Sequence, residues 1–173
     1  MKIKNVEIKA RCPDSDHCRM QLRAMEAQFK GVTQQTDTYF RVETGRLKLR
    51  EGNLEQDLIF YQRPNQAEPK PSNIILCHVQ DTEQLKVLLS AALGVKVVVV
   101  KKREIYYLGN TKIHLDVVLE LGEFIEIEVI GTDADSETRL RARCQALMQQ
   151  LGITAADLIS ESYSDMLLKI EDR

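Results

Sequence analysis

The chain has 173 residues, 43% of them hydrophobic and 29% charged, which excludes a disordered chain and supports a folded domain whose core needs no disulfide or metal staple. Its 24 basic and 26 acidic residues leave a net charge of −2, which excludes nucleic-acid binding through overall charge but leaves room for a local basic site. No apolar run is longer than Val97–Val100, so a transmembrane helix cannot be built, and the polar residues in Lys2–Asn5 interrupt any secretory leader.

Taken in chain order, a strand is expected over Lys2–Arg11 and a helix over Asp14–Phe29, which follows Pro13 and sets Leu22, Met25 and Phe29 on one side. Strands then fit Gln35–Glu43, Arg46–Glu51 and Asp57–Arg63, followed by a proline-containing loop over Pro64–Ser72 and a strand over Asn73–Val79. A helix over Thr82–Leu93 precedes strands at Lys96–Leu108, Thr111–Glu120 and Glu123–Ile130. Helices at Ser136–Leu151 and Ser160–Ile170 complete the chain. Glu43-Thr44-Gly45-Arg46, Leu108-Gly109-Asn110-Thr111 and Leu121-Gly122-Glu123 read as tight hairpins. The expectation is an α+β fold: an eight-stranded antiparallel β-barrel, closed or nearly so, with helices outside, in a single domain spanning 1–173. Cys12, Cys18, Cys77 and Cys144 form no CxxC pair and read as reduced thiols of a cytoplasmic protein.

The polar faces of these strands are charged by type. Val6, Ile8 and Ala10 share one face of the first strand, and Ile3, Asn5, Glu7, Lys9 and Arg11 the other. Leu47 and Leu49 alternate with Arg46, Lys48 and Arg50. Ile113, Leu115 and Val117 alternate with Lys112, His114 and Asp116, and Ile125, Ile127 and Val129 alternate with Glu126 and Glu128. An ordinary sheet with its polar face in water alternates in the same way. In a closed barrel, however, these charges point inward, where burying them is costly without partners. A polyanion on the basic wall and divalent cations on the acidic wall would complete such an interior.

The residues also carry a family resemblance. Asn5-Val6-Glu7-Ile8-Lys9 resembles the ExExK signature of the CYTH superfamily, the triphosphate tunnel metalloenzymes, with Asn5 standing where the family has its first Glu. The similarity continues through Asp37-Thr38-Tyr39-Phe40, Leu47-Lys48-Leu49-Arg50, Tyr61-Gln62-Arg63-Pro64, Lys101-Lys102-Arg103, His114-Leu115-Asp116, Glu126-Ile127-Glu128 and Ser162-Tyr163-Ser164-Asp165-Met166-Leu167-Leu168. The layout looks closest to the bacterial class IV adenylyl cyclase-like branch. The resemblance implies a tunnel in which Lys9, Lys48, Arg50, Arg63, Lys101 and Arg103 hold a small-molecule triphosphate. It implies that Glu7, Asp116, Glu126 and Glu128 hold Mg²⁺ or Mn²⁺, and that Glu7, Lys9, Arg50 and Arg103 form the catalytic set. The activity it implies is metal-dependent triphosphate hydrolysis. Cyclisation of ATP to cyclic AMP is the alternative, and a non-catalytic polyphosphate- or nucleotide-binding module a further one, which Asn5 favours. A monomer or homodimer with no nucleic-acid or membrane partner is expected. The six cations are expected to repel one another in the empty tunnel, so that Arg50→Ala would cost no stability. Neither Cys12, His17 and Cys18 nor the Cys77-His78 pair has the spacing of a zinc site, and a lone strand histidine such as His114 reads as structural.

Overall fold

Eight strands pair antiparallel around a closed ring in the computed structural model, which describes residues 2–132 and 134–171, with side chains from Asn5 onward. The strands are β1 (Lys2–Arg11), β2 (Gln28–Phe40), β3 (Arg46–Gly52), β4 (Asp57–Gln62), β5 (Lys70–His78), β6 (Val95–Leu108), β7 (Thr111–Val118) and β8 (Gly122–Gly131). Around the ring the order is β1-β5-β4-β3-β2-β6-β7-β8, and β8 pairs with β1 to close it. The helices are α1 (Ser15–Ala24), α2 (Thr82–Leu93), α3 (Glu137–Gln150) and α4 (Tyr163–Glu171). None of the described helices is long and apolar enough to cross a membrane.

The apolar face of β1, β7 and β8 points away from the barrel axis. Val6, Ile8, Ile113, Leu115, Ile125, Ile127 and Val129 are buried there against Leu22 of α1 and Leu140, Cys144 and Leu147 of α3. Because side chains alternate along a strand, this outward apolar face forces the charged face inward. A second apolar cluster fills one end of the barrel interior: Tyr39, Val97, Val99, Val118 and Phe124 pack against Tyr163 and Leu167 of α4.

The boundaries that differ most lie between the first helix and β2 and before β5; β2 also ends at Phe40 and not Glu43, β7 at Val118 and not Glu120, and α4 begins at Tyr163 and not Ser160. The helix expected over Asp14–Phe29 stops at Ala24. Asp14 caps its start by accepting a hydrogen bond from the His17 backbone N–H at 2.9 Å. Glu26 then adopts φ of 57°, which ends the helix, and β2 begins at Gln28. Phe29 therefore belongs to a strand and packs against Tyr106 with ring centroids 5.0 Å apart. Leu22, Met25 and Phe29 fit helical spacing, but pairing with the long β6 outweighs it. The loop expected over Pro64–Ser72 is also shorter, because β5 starts at Lys70. Pro71 is accommodated opposite Val6 of β1, at a level where β4, whose pairing reaches only to Asn73, is no longer beside it.

The hairpin between β2 and β3 turns at Gly45, with φ of 68°. A Cβ there would stand 2.8 Å from the Phe60 ring and 2.9 Å from the Tyr61 carbonyl oxygen. Gly45→Ala is expected to lower stability by roughly 1–3 kcal/mol in urea denaturation, from left-handed strain combined with this overlap. An unchanged midpoint would show that the turn relaxes freely.

Candidate active site: a charged tunnel

Inward positions of the barrel line a cavity of about 380 Å³, a size suited to a small molecule. β1 contributes Asn5, Glu7 and Lys9; β3 contributes Lys48 and Arg50; β6 contributes Lys101 and Arg103; β8 contributes Glu126 and Glu128; and Arg63 enters just beyond β4. The register sets these in rows. Lys9, Glu126 and His114 lie side by side across β1, β8 and β7, and Glu7, Glu128 and Lys112 form the next row. β3 and β8 stand half a ring apart, so Lys48 and Arg50 are across the barrel from Glu126 and Glu128. Every candidate named from the sequence lines this cavity except Asp116.

The cations do not face one another unpaired. Asp37, 1% exposed beneath the basic wall, accepts hydrogen bonds from Arg50 Nε at 2.9 Å and Nη2 at 3.1 Å, from Lys48 Nζ at 2.9 Å and from Lys101 Nζ at 2.7 Å. Burial alone would push this carboxyl up, but Arg50, Lys101 and Lys48 hold it well below the usual carboxylate range. Glu55, from the β3–β4 turn, accepts from Arg50 Nη1 at 2.9 Å, from Gln35 Nε2 at 3.0 Å and from Lys112. Arg63 pairs with Glu7, and Lys9 with Glu126. The expected mutual repulsion is thus corrected: neighbouring strands bring carboxylates to the depth of the cations. Removing Arg50 would strip a buried carboxylate of its main partner rather than relieve strain. Lys101 is nonetheless pushed down to about 7, by burial above all and by nearby Arg103, Arg50 and Lys48, against the pull of Asp37. Lys70, fully buried, is also pushed down to about 7, by burial and then by Arg63 and Lys9.

Asp116 forms a second buried node. Its oxygens accept from Arg103 Nε and Nη2, both at 2.6 Å, and Oδ2 also accepts from the Tyr163 hydroxyl at 2.8 Å. Arg103 Nη2 reaches on to Glu126 Oε2 at 2.7 Å. Asp116 therefore orients Arg103, and its carboxylate is occupied by donors instead of facing the cavity. Tyr163, from α4, lies between this node and the tunnel, with Lys9 Nζ 3.3 Å from its ring centroid.

The ligand atoms of His114, Glu126 and Glu128 all lie within 4.8 Å of one another, an arrangement able to hold a metal ion. The Asn5 side-chain oxygen, buried and lining the same cavity, has no hydrogen-bond partner. An unmet hard oxygen beside carboxylates fits a divalent cation. His114 is held below its ordinary pKa by burial and then by Arg103.

Sequence reasoning missed five contributors. Lys112 and His114 were legible from the alternation that also gave Asp116. Asp37 and Tyr163 sit inside quoted family segments without assigned roles. Glu55 lies in a turn, where no periodicity marks it.

Asp37→Asn is expected to cost about 3–5 kcal/mol at pH 7 in chemical denaturation, because three buried cations lose their carboxylate. The folded pKa of Asp37 is depressed, so its contribution is complete above about pH 4 and is lost as pH falls through the folded value. The gap between parent and variant should therefore narrow in acid. A gap independent of pH would refute this assignment.

A protein-family model described as the CYTH domain matches residues 4–163. No curated protein matches the chain. Among solved structures, one from Pyrococcus horikoshii superposes with a TM-score of 0.82 at 24% identity, covering 93% of this chain and 98% of its own. A candidate adenylate cyclase from Vibrio parahaemolyticus matches with a TM-score of 0.79 at 22% identity, over 95% and 97% of the two chains. A candidate adenylyl cyclase from Hippeastrum, described as having a dominant triphosphatase activity, matches with a TM-score of 0.62 at 15% identity, over 98% and 96%.

Proposed function

The chain belongs to the CYTH domain family, and from that premise we propose that it is a divalent-metal-dependent enzyme that hydrolyses a triphosphate. The observation that carries this reading is the charge geometry of one cavity: Lys9, Lys48, Arg50, Arg63, Lys101 and Arg103 enter it from different strands, and the acidic cluster on β8 stands half a ring from β3. The reading takes residues 1–173 as one catalytic domain, which the extent of the family match supports.

In this reading a triphosphate chain replaces carboxylates as the partner of the tunnel cations. Arg50 and Arg103 present planar forks for bidentate contact with phosphate oxygens, and each is held in place from behind, by Asp37 and Asp116. Lys9, Lys48 and Lys101 add point charges. Phosphoryl transfer depends on positioning and on neutralising charge at the phosphate oxygens, which these fixed cations supply without reorganising. Glu126 and Glu128, with Glu7 and Asn5 beside them on β1, would hold the metal. A bound Mg²⁺ or Mn²⁺ there supplies further neutralisation of the phosphate and leaving-group oxygens. Hydrolysis is preferred because water needs no dedicated pocket, whereas cyclisation requires a ribose hydroxyl held against the α-phosphate.

The test is turnover of ATP, thiamine triphosphate and tripolyphosphate with Mg²⁺ and with Mn²⁺, with products identified. Metal-dependent release of phosphate is expected from at least one. Pyrophosphate with cyclic AMP from ATP would replace hydrolysis by cyclisation, and tight binding without turnover would leave a binding module. Glu126→Gln should abolish turnover and weaken metal binding while the protein still folds; full activity in that variant would remove Glu126 from the site.

A pH dependence follows from Lys101. A bound polyanion restores its proton, so binding above pH 7 takes up protons and affinity should fall as pH rises from about 7 towards 9. Calorimetric titration of tripolyphosphate in buffers of different ionisation enthalpy measures the uptake, which should be smaller in Lys101→Gln. No buffer dependence would show that Lys101 keeps its charge in the empty tunnel.

A further inference from the structure

His114 is a tunnel group whose chemistry the proposed reaction leaves unused. It projects inward from β7, is 1% exposed, and neither ring nitrogen has a hydrogen-bond partner. A neutral imidazole carries one donor and one acceptor, and leaving both unmet in a buried position is costly. Such a group in a folded protein needs a partner, and the surroundings indicate its chemistry. Nδ1 stands 3.5 Å from Glu126 Oε2 and 3.9 Å from Glu128 Oε1, which is long for an imidazole–carboxylate hydrogen bond. Two ligands of one ion, each bonded at about 2.0–2.3 Å, stand at most roughly 4–4.6 Å apart, and both separations fall within that span.

The pairing of the carboxylates points the same way. Glu126 already accepts from Lys9 and from Arg103, so it does not need His114 as a counter-ion. Glu128 has no Lys or Arg partner among the described residues, and the His114 Nδ1, at 3.9 Å from its Oε1, is the basic group it pairs with. The register builds this in: His114 pairs directly with Glu126, and Glu128 follows two positions along β8 on the same inward face.

We propose that His114 is a nitrogen ligand of the tunnel metal, alongside Glu126 and Glu128, and that it makes the site select Mn²⁺ and its first-row neighbours over Mg²⁺. The inference rests on the metal-dependent reading above and goes beyond it by naming a ligand and a metal class. Mg²⁺ takes hard oxygen ligands and gives up its waters reluctantly, so an imidazole adds little to its binding. First-row transition cations accept imidazole well. A site of carboxylates alone would show a smaller bias, because imidazole adds affinity for the transition cations and little for Mg²⁺.

The experiment is pulsed EPR on Mn²⁺-loaded protein produced with ¹⁵N-labelled histidine, read with and without tripolyphosphate. Directly bound ¹⁵N should modulate the echo in the native protein and be absent in His114→Gln. His78→Gln, which removes the other histidine lining the cavity, should retain it. In competition titrations His114→Gln should lower Mn²⁺ affinity about tenfold or more while leaving Mg²⁺ affinity within about threefold. Should His114→Gln fail to fold, the spectra of the native protein and of His78→Gln decide alone. Mn²⁺ bound with no histidine-nitrogen coupling would overturn the inference and leave a metal-dependent triphosphate enzyme standing. No Mn²⁺ bound under either condition would overturn both.

Discussion

Cations from three positions on two strands converge on the carboxylate of Asp37. Lys48 and Arg50 come from β3 and Lys101 from β6, while Asp37 itself sits on β2 between them. A barrel that turns its charged face inward must place these groups where water cannot screen them, and an isolated ammonium or guanidinium there would be expensive. Asp37 resolves this from the neighbouring strand without itself lining the cavity, so Lys48, Arg50 and Lys101 are neutralised while still entering it. The same arrangement recurs at Arg103, which Asp116 and Tyr163 fix from behind. In the proposed reading, a binding surface of fixed cations thus depends on carboxylates, Asp37 and Asp116, that do not themselves line the cavity.

The apolar packing serves the same end. Helices α1 and α3 cover the outer face of β1, β7 and β8, where Val6, Ile8, Ile125 and Ile127 supply hydrophobic stabilisation that the charged part of the interior cannot. These strands also carry Glu7, Lys9, His114, Glu126 and Glu128, so the acidic side of the tunnel rests on strands whose outer face is buried against α1 and α3. Helix α4 closes one end with Tyr163, which touches both the Lys9 ammonium and the Asp116 carboxylate. In the proposed reading, this packed and hydrogen-bonded framework supplies the fixed positions that electrostatic preorganisation requires.

The turn between β3 and β4 contributes a carboxylate of a different kind. Glu55 binds Arg50 and Lys112 from the cavity side and occupies space where an incoming anion would meet the same donors. Asp37 and Asp116 belong to strands, whereas Glu55 belongs to a short connection. In the proposed reading, exchange of Glu55 for a phosphate oxygen would require movement of a few residues and would leave the barrel intact.

Strand identity and inward parity were determined by the sequence alone. The alternation of Val6, Ile8 and Ala10 with Asn5, Glu7 and Lys9, and of Ile125, Ile127 and Val129 with Glu126 and Glu128, admits one register of faces once an apolar outer core forms, because side chains on a strand repeat every two residues. Tertiary structure decided which charges pair. Asp37 meets Lys101 across 64 positions of chain and Lys9 meets Glu126 across 117, contacts set by strand order and depth in the ring, which local periodicity does not encode. It also decided the extent of β2, where Phe29 satisfies a helical spacing but packs against Tyr106, and the state of His114, whose two unmet nitrogens exist only because closure buries them beside Glu126 and Glu128. Local pattern fixes which way a side chain points, and the partners it finds there depend on which other strands the closed ring brings to the same level.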